Sequence, residues 1–383
     1  MWDPSKPNGQ NFIHPPTIKR GDGKPFDFFC GGDTFLPDGR LLSAGGNLAY
    51  NNGNNLGQRE VAIFNPLTEQ WAHAQPMHHG RWYPQLLTLA DGRILTVSGK
   101  NDTDGATNPE FEVFDPLDGT WGHLHPPHGA NFDELPFYAH LFLMADGRVF
   151  FSGGRMDYDE PQDAGILDLR QVPVTFQVVP ALQDTRLRNQ SASVLLPPAQ
   201  DERVMIIGGG PPDDFTSATG LSELVDLKQL HPAFALAMPL SLPRMHLNAV
   251  LLPDRTVFVS GGAIRHEKEQ VRPVARLQSE LYDPRTDSWK PGAVASVVRL
   301  YHSVALLLPD GRVVTTCGNP PPYGHQVARQ PPQANEEMQI EVYSPPYLFR
   351  GPRPTIGHVQ TEWHYGAHGK PNAGKAHVDG KSP

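Results

Sequence analysis

Cysteine is scarce in this sequence, and so are the features that would mark a membrane or secreted protein. The 383 residues include two cysteines, Cys30 and Cys317, which are too few for a disulfide scaffold or a thiolate zinc site. No run of about 18 apolar residues occurs, so no membrane span and no membrane partner are expected. The N-terminus has no basic segment followed by an apolar core, so the sequence as given is expected to encode no secretory signal.

Concentrated positive charge is also lacking. The net charge is -9, and the basic residues are scattered singly, which argues against a nucleic-acid partner. Apolar residues at helical spacing form no long run. Glycine (37 residues) and proline (40 residues) are abundant instead, and this composition favours short strands joined by turns.

Glycines recur at a nearly constant interval along the chain. The reference glycines are Gly46, Gly99, Gly154, Gly209, Gly262 and Gly318. They are separated by about 53 to 56 residues, near the period of kelch-type repeats. Each repeat contains a strand, a turn that often reads Asp-Gly-Arg, a strand that ends at the glycines, and a third strand. Four short antiparallel strands per repeat, packed radially, would form a β-propeller.

We therefore expect an all-β fold with a kelch-type β-propeller over residues 1–349. Trp2-Asp3-Pro4 matches the end of a third strand whose first two strands are missing. The propeller is thus nominally seven-bladed with one blade incomplete. Residues 350–383 are expected to be a linker and a short unstructured C-terminal tail, the truncated start of another domain, because they contain few apolar residues. The protein is expected to be a monomer.

Residues at one phase of a propeller repeat should lie on a ring around its axis. Five residues stand sixteen positions before a reference glycine: Cys30, Tyr83, Tyr138, His246 and His302. Gln190 joins them when the longer turn of the fourth repeat is allowed for, and Tyr301 precedes His302. Such residues could simply satisfy backbone groups of neighbouring blades. For His246 and Tyr138, the alternative is a place in a substrate channel.

The side-chain types on this ring favour one kind of metal. Imidazole and phenolate groups, without a carboxylate cage or paired thiolates, suit Cu(II) better than zinc or calcium. Neighbours on a regular strand point to opposite faces. Tyr301 and His302 can therefore share a metal only if the backbone there is a loop, a bulge or the start of a strand.

At these residues the sequence resembles the galactose oxidase and glyoxal oxidase family of copper radical oxidases. The similarity extends over nearly the whole chain, from FFCGGDTFLPDGRLLSAGG to IEVYSPPYLFRGPRPTI. The Tyr-His pair in RLYHSVALLLPDGRVV is specific, and so is a lone cysteine one blade before a tyrosine. The segment RWYP, at residues 81–84, is closer to the glyoxal oxidase side.

The resemblance implies a role for each residue. Tyr83 would be a copper ligand that is joined to the sulfur of Cys30 by a thioether and holds a radical. Tyr301 would be the axial ligand that takes the substrate proton, and His302 a further copper ligand. The implied cofactors are copper and the Cys-Tyr thioether. The implied reaction oxidises a small primary alcohol or aldehyde with O2 and gives H2O2. A secreted or extracellular location is also implied.

Two features depart from the family pattern. The galactose oxidase branch has a tryptophan after the glycines of the second blade, whereas Gly99 is followed by Lys100 here. The second histidine ligand of the family comes from a C-terminal domain, and three tail histidines match no part of its loop: His364, His368 and His377. A missing ligand should weaken copper binding and reduce or abolish activity. Whether the chain is an enzyme is therefore left open.

Two alternative hypotheses to an oxidase stay open. One is a non-catalytic kelch-type propeller that binds a protein or a glycan. The other is a truncated or frameshifted copy of an oxidase that does nothing. Under either reading, Cys30 and His302 would carry no chemistry.

Overall fold

The computed structural model describes residues 2–3, 6, 11–51, 54–128, 132, 134–156, 162–211, 217–265, 275–319, 337–352, 355–358 and 377–379. Short strands and turns make up these residues, with a few turns of 3-10 helix and no α-helix among them. None of the described residues forms a helix long and apolar enough to cross a membrane. The all-β prediction is confirmed.

Consecutive strands form blades, with the strand order in each sheet following the chain. The first blade contains β1 (Gly31–Phe35), β2 (Leu41–Gly45), β5 (Val61–Asn65) and β6 (Gln70–His73), with an inserted hairpin of β3 (Asn47–Asn51) and β4 (Asn54–Gly57). The second contains β7 (Gln85–Thr88), β8 (Ile94–Val97), β9 (Phe111–Asp115) and β10 (Thr120–Leu124). The third contains β11 (Leu141–Leu143), β12 (Val149–Phe151), β13 (Gly165–Asp168) and β14 (Thr175–Val178).

The remaining blades repeat this plan. The fourth contains β15 (Ala192–Leu195), β16 (Arg203–Ile207), β17 (Ser222–Asp226) and β18 (Phe234–Ala237). The fifth contains β19 (Asn248–Leu251), β20 (Val257–Ser260), β21 (Gln278–Asp283) and β22 (Ser288–Val294). The sixth has three strands, β23 (Val304–Leu307), β24 (Val313–Thr316) and β25 (Glu341–Tyr343).

Apolar side chains between neighbouring blades hold the propeller together. The second strands β8, β12 and β20 are buried along their whole length, whereas the outer strand β6 is largely exposed. Five buried clusters each join two successive blades, as the following pairs of members show: Leu42 with Ile94, Leu95 with Phe151, Phe150 with Val204, Ile207 with Val259, and Phe258 with Val313. Removing these surfaces from water is the main favourable contribution to the fold.

The ends of the propeller differ in how they compare with expectation. Within the described residues there are six blades, and a seventh is not confirmed; Trp2 forms an isolated bridge with Phe12, and Pro4 lies outside the described residues. The tail was expected to be unstructured. It contains β26 (Thr355–His358) paired antiparallel with β27 (His377–Asp379), so that expectation fails for these seven residues. The division into two domains stays a prediction.

The Asp-Gly-Arg turns share one backbone geometry, and the fifth blade keeps this geometry without the glycine. In the first blade, the amide of Gly39 donates to the carbonyl of Leu36 over 2.9 Å, and the glycine has a φ of 85°. The glycine carries the positive φ, which L side chains adopt only at a cost. The turn of the fifth blade has the same hydrogen bond, from Arg255 to Leu252, also at 2.9 Å. There Arg255, with a φ of 69°, replaces the glycine.

We predict opposite effects for two exchanges at this turn position. Arg255→Gly should raise the free energy of unfolding by about 1 kcal/mol, because it removes the cost of a left-handed arginine. Gly39→Arg should lower it by a similar amount, since a side chain there meets nothing within 4 Å and only backbone strain is added. Denaturant unfolding of both variants measures the two changes. Equal signs would contradict the assignment of strain to φ.

Candidate metal centre

Every residue of the predicted ring adopts a left-handed backbone conformation. The φ angles are 62° for Cys30, 67° for Tyr83, 45° for Tyr138, 55° for Gln190, 58° for His246 and 64° for His302. Each costs about 1–2 kcal/mol for an L residue, and such strain is concentrated at functional sites. The six positions that the repeat counting aligned, including Gln190, are therefore structurally equivalent.

Backbone hydrogen bonds join these left-handed residues between blades. The amide of Tyr83 donates to the carbonyl of Cys30 over 2.8 Å, and the amide of Tyr138 donates to the carbonyl of Tyr83 over 3.3 Å. His246 and Gln190 are joined in the same way at 2.9 Å. The links fix the ring residues of neighbouring blades relative to one another.

A buried arginine anchors the entry to four of the blades. Its guanidinium donates to the carbonyl before the reference glycine of the same blade over 2.8 to 3.1 Å, in the pairs Arg81 to Ser98, Arg188 to Gly208, Arg244 to Gly261 and Arg299 to Cys317. In the first three, a buried carboxylate also binds the guanidinium: Glu112 at 2.9 Å, Glu223, and Glu280 at 2.8 Å. In the sixth blade, two further carbonyl oxygens bind Arg299. We call these four arginines the entry arginines.

The sixth blade has one extra residue at this point. The ring residue follows its entry arginine by two positions in Arg81-Trp82-Tyr83 and Arg244-Met245-His246, whereas Arg299 and His302 are separated by three. The amide of Asn319 donates to the carbonyl of Tyr301 as that of Lys100 does to Trp82, so Tyr301 aligns with Trp82 and the extra residue is Leu300. Strand β23 begins only at Val304, so Tyr301 and His302 precede the regular strand. Their rings stack with centroids 3.6 Å apart, and the condition for sharing a metal is met.

Two phenol oxygens and one imidazole nitrogen converge here. The hydroxyls of Tyr83 and Tyr301 are hydrogen-bonded to each other, and Oη of Tyr83 lies 3.4 Å from Nε2 of His302. Nδ1 of His302 donates to Oδ1 of Asn319 over 2.7 Å. Because Nδ1 carries the proton, Nε2 presents its lone pair toward Oη of Tyr83.

This donor set fits copper. Nitrogen and oxygen donors of this kind suit a tetragonal Cu(II) site, and the residues that could hold the ion are Tyr83, Tyr301 and His302. Within the described part of the chain, no group of three His, Cys, Asp or Glu side chains could hold a metal. Any site built from these residues therefore depends on the tyrosine oxygens.

Cys30 and Tyr83 belong to the same buried apolar cluster. Burial raises the pKa of the Cys30 thiol to about 12. Burial, with Tyr301 and Cys30 nearby, also raises the pKa of the Tyr83 hydroxyl. Both groups are therefore neutral at pH 7 in the absence of a metal.

Trp82, a residue that the sequence reasoning missed, covers one face of Tyr83. The rings stack with centroids 3.6 Å apart and planes 15° from parallel. Lys100 stands where the galactose oxidase branch has tryptophan, and its Nζ lies 5.6 Å from the Trp82 ring. The signal was present in RWYP, since Trp82 immediately precedes Tyr83. Its stacking could be found only once the left-handed turn was known.

The other predicted residues lie around this cluster. Tyr138 stacks near Tyr83 with centroids 4.8 Å apart, and His246 lies 5.6 Å from the Tyr301 ring. Sδ of Met156, which the sequence reasoning also missed, lies 3.7 Å from Oη of Tyr301. Among the tail histidines, His364 and His368 lie outside the described residues, and His377 belongs to β27.

The family model described as glyoxal oxidase N-terminus matches residues 24–347. The chain belongs to the glyoxal oxidase family. The resemblance to galactose and glyoxal oxidases is thus confirmed, although the family alone assigns no activity to this member.

Curated relatives of this family member include oxidases from fungi and plants. The chain is 25% identical to a galactose oxidase of Gibberella zeae over 359 residues, which cover 88% of the chain and 48% of the relative. It is 27% identical to the aldehyde oxidase GLOX1 of Arabidopsis thaliana, over 86% of the chain and 55% of the relative. A WSC domain-containing protein of Arthroderma benhamiae is 28% identical over 89% of the chain and 37% of the relative. The chain thus spans about half the length of these relatives or less.

Solved structures show the same fold. A fungal alcohol oxidase of the AA5 family, in complex with copper, superposes with a TM-score of 0.70 and 22% identity over 87% of this chain and 67% of that chain. YjhT superposes with a TM-score of 0.57 and 12% identity over 84% of this chain and 98% of that chain. At these identities the likeness supports the propeller fold alone.

We predict that loss of an entry arginine destabilises this glyoxal oxidase family member strongly. Arg244→Met should lower the free energy of unfolding by about 3–5 kcal/mol, because Glu280 would stay buried without its cation. The control is Arg285→Met, which breaks an ion pair whose arginine side chain is 65% exposed and should cost about 0–1 kcal/mol. Denaturant unfolding compares the two. Similar losses in both variants would contradict an anchoring role for the buried pair.

Proposed function

We propose that the protein is a copper-dependent oxidase of small primary alcohols or aldehydes, with O2 as the electron acceptor. The observation that carries this proposal is the convergence of Tyr83, Tyr301 and His302, from two blades far apart in sequence, beside a buried cysteine. A propeller that only packs its blades has no need to place two phenol oxygens and an imidazole nitrogen together. The curated oxidase relatives support the same conclusion.

Copper would be held by the oxygens of Tyr83 and Tyr301 and by Nε2 of His302. When bound, it would polarise the substrate oxygen and accept one of the two electrons. The second would be taken up by Tyr83 in its one-electron-oxidised radical form, generated beforehand by O2, and the ring of Tyr83 is covered by Trp82. Tyr301, which is only partly buried, would be held by copper as the phenolate and would accept the hydroxyl proton of the substrate at Oη, since a base must lie within hydrogen-bond reach of the proton it removes.

The overall reaction balances without an organic cofactor. A primary alcohol loses two hydrogens and becomes an aldehyde, and O2 gains them and becomes H2O2. An aldehyde reacts in the same way as its hydrate and gives a carboxylic acid. Two electrons pass from substrate to O2 in each case.

We also propose that Cys30 and Tyr83 become covalently linked. One hydrogen leaves the sulfur of Cys30 and one leaves a ring carbon of Tyr83 as the C–S bond forms, and O2 takes up both as H2O2. The contact of the two side chains in one buried cluster supports this step. The neutral, buried thiol would be protected from other oxidation by its surroundings.

Three donors come from the described residues, one fewer than the family resemblance implies. Removing one ordering partner of a metal site commonly costs about 10- to 100-fold in affinity. We therefore expect this chain, assayed as it stands, to hold copper weakly. Its peroxide production should accordingly depend on the concentration of added copper.

The first test is the mass of the protein before and after treatment with Cu(II) and air. We expect the loss of two hydrogens in the wild type and no loss in Cys30→Ala or Tyr83→Phe. The same samples are then assayed for H2O2 with a panel of primary alcohols and aldehydes. If neither cross-link nor peroxide forms with copper bound, the oxidase proposal is wrong and a propeller that binds a protein or glycan takes its place.

A second prediction separates the ligand from its neighbour on the ring. His302→Ala should abolish stoichiometric copper binding, because one of three donors is removed. His246→Ala should retain it, since His246 faces the Tyr301 ring and is not among the proposed ligands. Equilibrium dialysis against a fixed excess of Cu(II), followed by metal analysis, measures both variants. Equal copper content in the two would contradict the assignment of His302.

A further inference from the structure

The residue after each reference glycine makes the same backbone contact in several blades. The amide of Lys100 donates to the carbonyl of Trp82 over 2.7 Å, and the amide of Ala263 donates to that of Met245 over 3.0 Å. In the sixth blade, the amide of Asn319 donates to the carbonyl of Tyr301 over 2.8 Å. The contact holds the residue that precedes the ring residue, and it does not depend on the side chain.

In the sixth blade, the side chain at this position has a second function. Oδ1 of Asn319 accepts a hydrogen bond from Nδ1 of His302 over 2.7 Å. Alanine occupies the equivalent position in the fifth blade, as Ala263, and its methyl group can form no such bond with His246. The backbone contact is therefore shared between blades, whereas Asn319 adds a side-chain contact to the ring imidazole.

We propose that Asn319 is a positioning residue that sets the tautomer and the orientation of the His302 imidazole for copper. This inference rests on the proposed function for the identity of the metal. An amide oxygen can only accept a hydrogen bond, so it selects the tautomer protonated at Nδ1. It also fixes the rotation of the ring, so that Nε2 lies 3.4 Å from Oη of Tyr83. Second partners of this kind orient metal-bound histidines and raise their basicity.

Asn319 therefore acts on both donors of the sixth blade. Its amide holds the backbone of Tyr301, and its side chain holds the ring of His302. Asn319→Ala removes the second contact and keeps the first. Ala263 occupies the equivalent backbone position in the fifth blade, and its amide donates to the carbonyl of Met245 in the same way. The substitution of Asn319 by alanine should therefore leave the fold intact.

The experiment compares four proteins: the wild type, Asn319→Ala, Asn319→Asp and Asn47→Ala. Aspartate keeps an acceptor oxygen for Nδ1. Asn47 follows the reference glycine of the first blade, its amide donates to the carbonyl of Phe29 over 3.0 Å, and its side chain binds Asp27. It is therefore a matched control for the same substitution. Two quantities are measured: the 15N signals of the His302 imidazole without metal, and the dissociation constant for Cu(II) in competition with a chelator.

We expect the wild type, Asn319→Asp and Asn47→Ala to show His302 protonated at Nδ1. Asn319→Ala should lose this preference and bind Cu(II) about 10- to 100-fold more weakly, whereas Asn319→Asp should stay within a few-fold of the wild type. Unchanged imidazole signals and unchanged affinity in Asn319→Ala would overturn the inference. If the wild type itself binds no copper, the proposed function fails, and the imidazole signals alone still decide whether Asn319 sets the tautomer.

Discussion

The propeller depends on guanidinium groups that are held in its interior by oxygen atoms. Arg81, Arg188 and Arg244 have no exposed surface, and a cation in that position is tolerated only when several acceptors surround it. The carbonyl before each reference glycine supplies one acceptor and a buried glutamate supplies another. The same contact ties the start of the inner strand to the end of the second strand. Each of these arginines therefore fixes the position of the ring residue that follows it. Breaking the contact would leave a buried guanidinium or carboxylate without its partner.

The candidate site is built from a strained part of the backbone that these anchors stabilise. All six ring residues, one at the start of each blade, have a left-handed backbone. Their strain persists because the surrounding structure fixes this conformation against each residue's own preference for negative φ. The conformation also restricts which residues the ring can contain, since valine, isoleucine and threonine tolerate a positive φ poorly. Cysteine, tyrosine, glutamine and histidine occupy it here. The ring is thus suited to side chains that carry chemistry.

The sequence could reveal which residues meet because a propeller converts an interval along the chain into a position around an axis. The glycine spacing predicted the blades, and counting from the glycines aligned Cys30, Tyr83 and His302. It could not reveal the left-handed backbone, since nothing in these side chains favours it. Trp82 and Asn319 were missed for the same reason: their contacts depend on how a turn directs them. The strands β26 and β27 gave no apolar pattern to detect. The chemical roles of the ring residues stay predictions.

The length of one turn has a consequence for how such a site can arise. The sixth blade has one more residue between its entry arginine, Arg299, and its ring residue, His302, than the fifth blade has. In both blades the entry arginine donates to the carbonyl before the reference glycine. One residue inserted into a repeat can thus be absorbed in the turn before the ring residue, with the flanking strands keeping their pairing. A change in how the side chains beside a ring residue are placed then requires neither a new loop nor a new strand. The trace of such a change would be one additional residue between the entry arginine and the ring residue of one repeat.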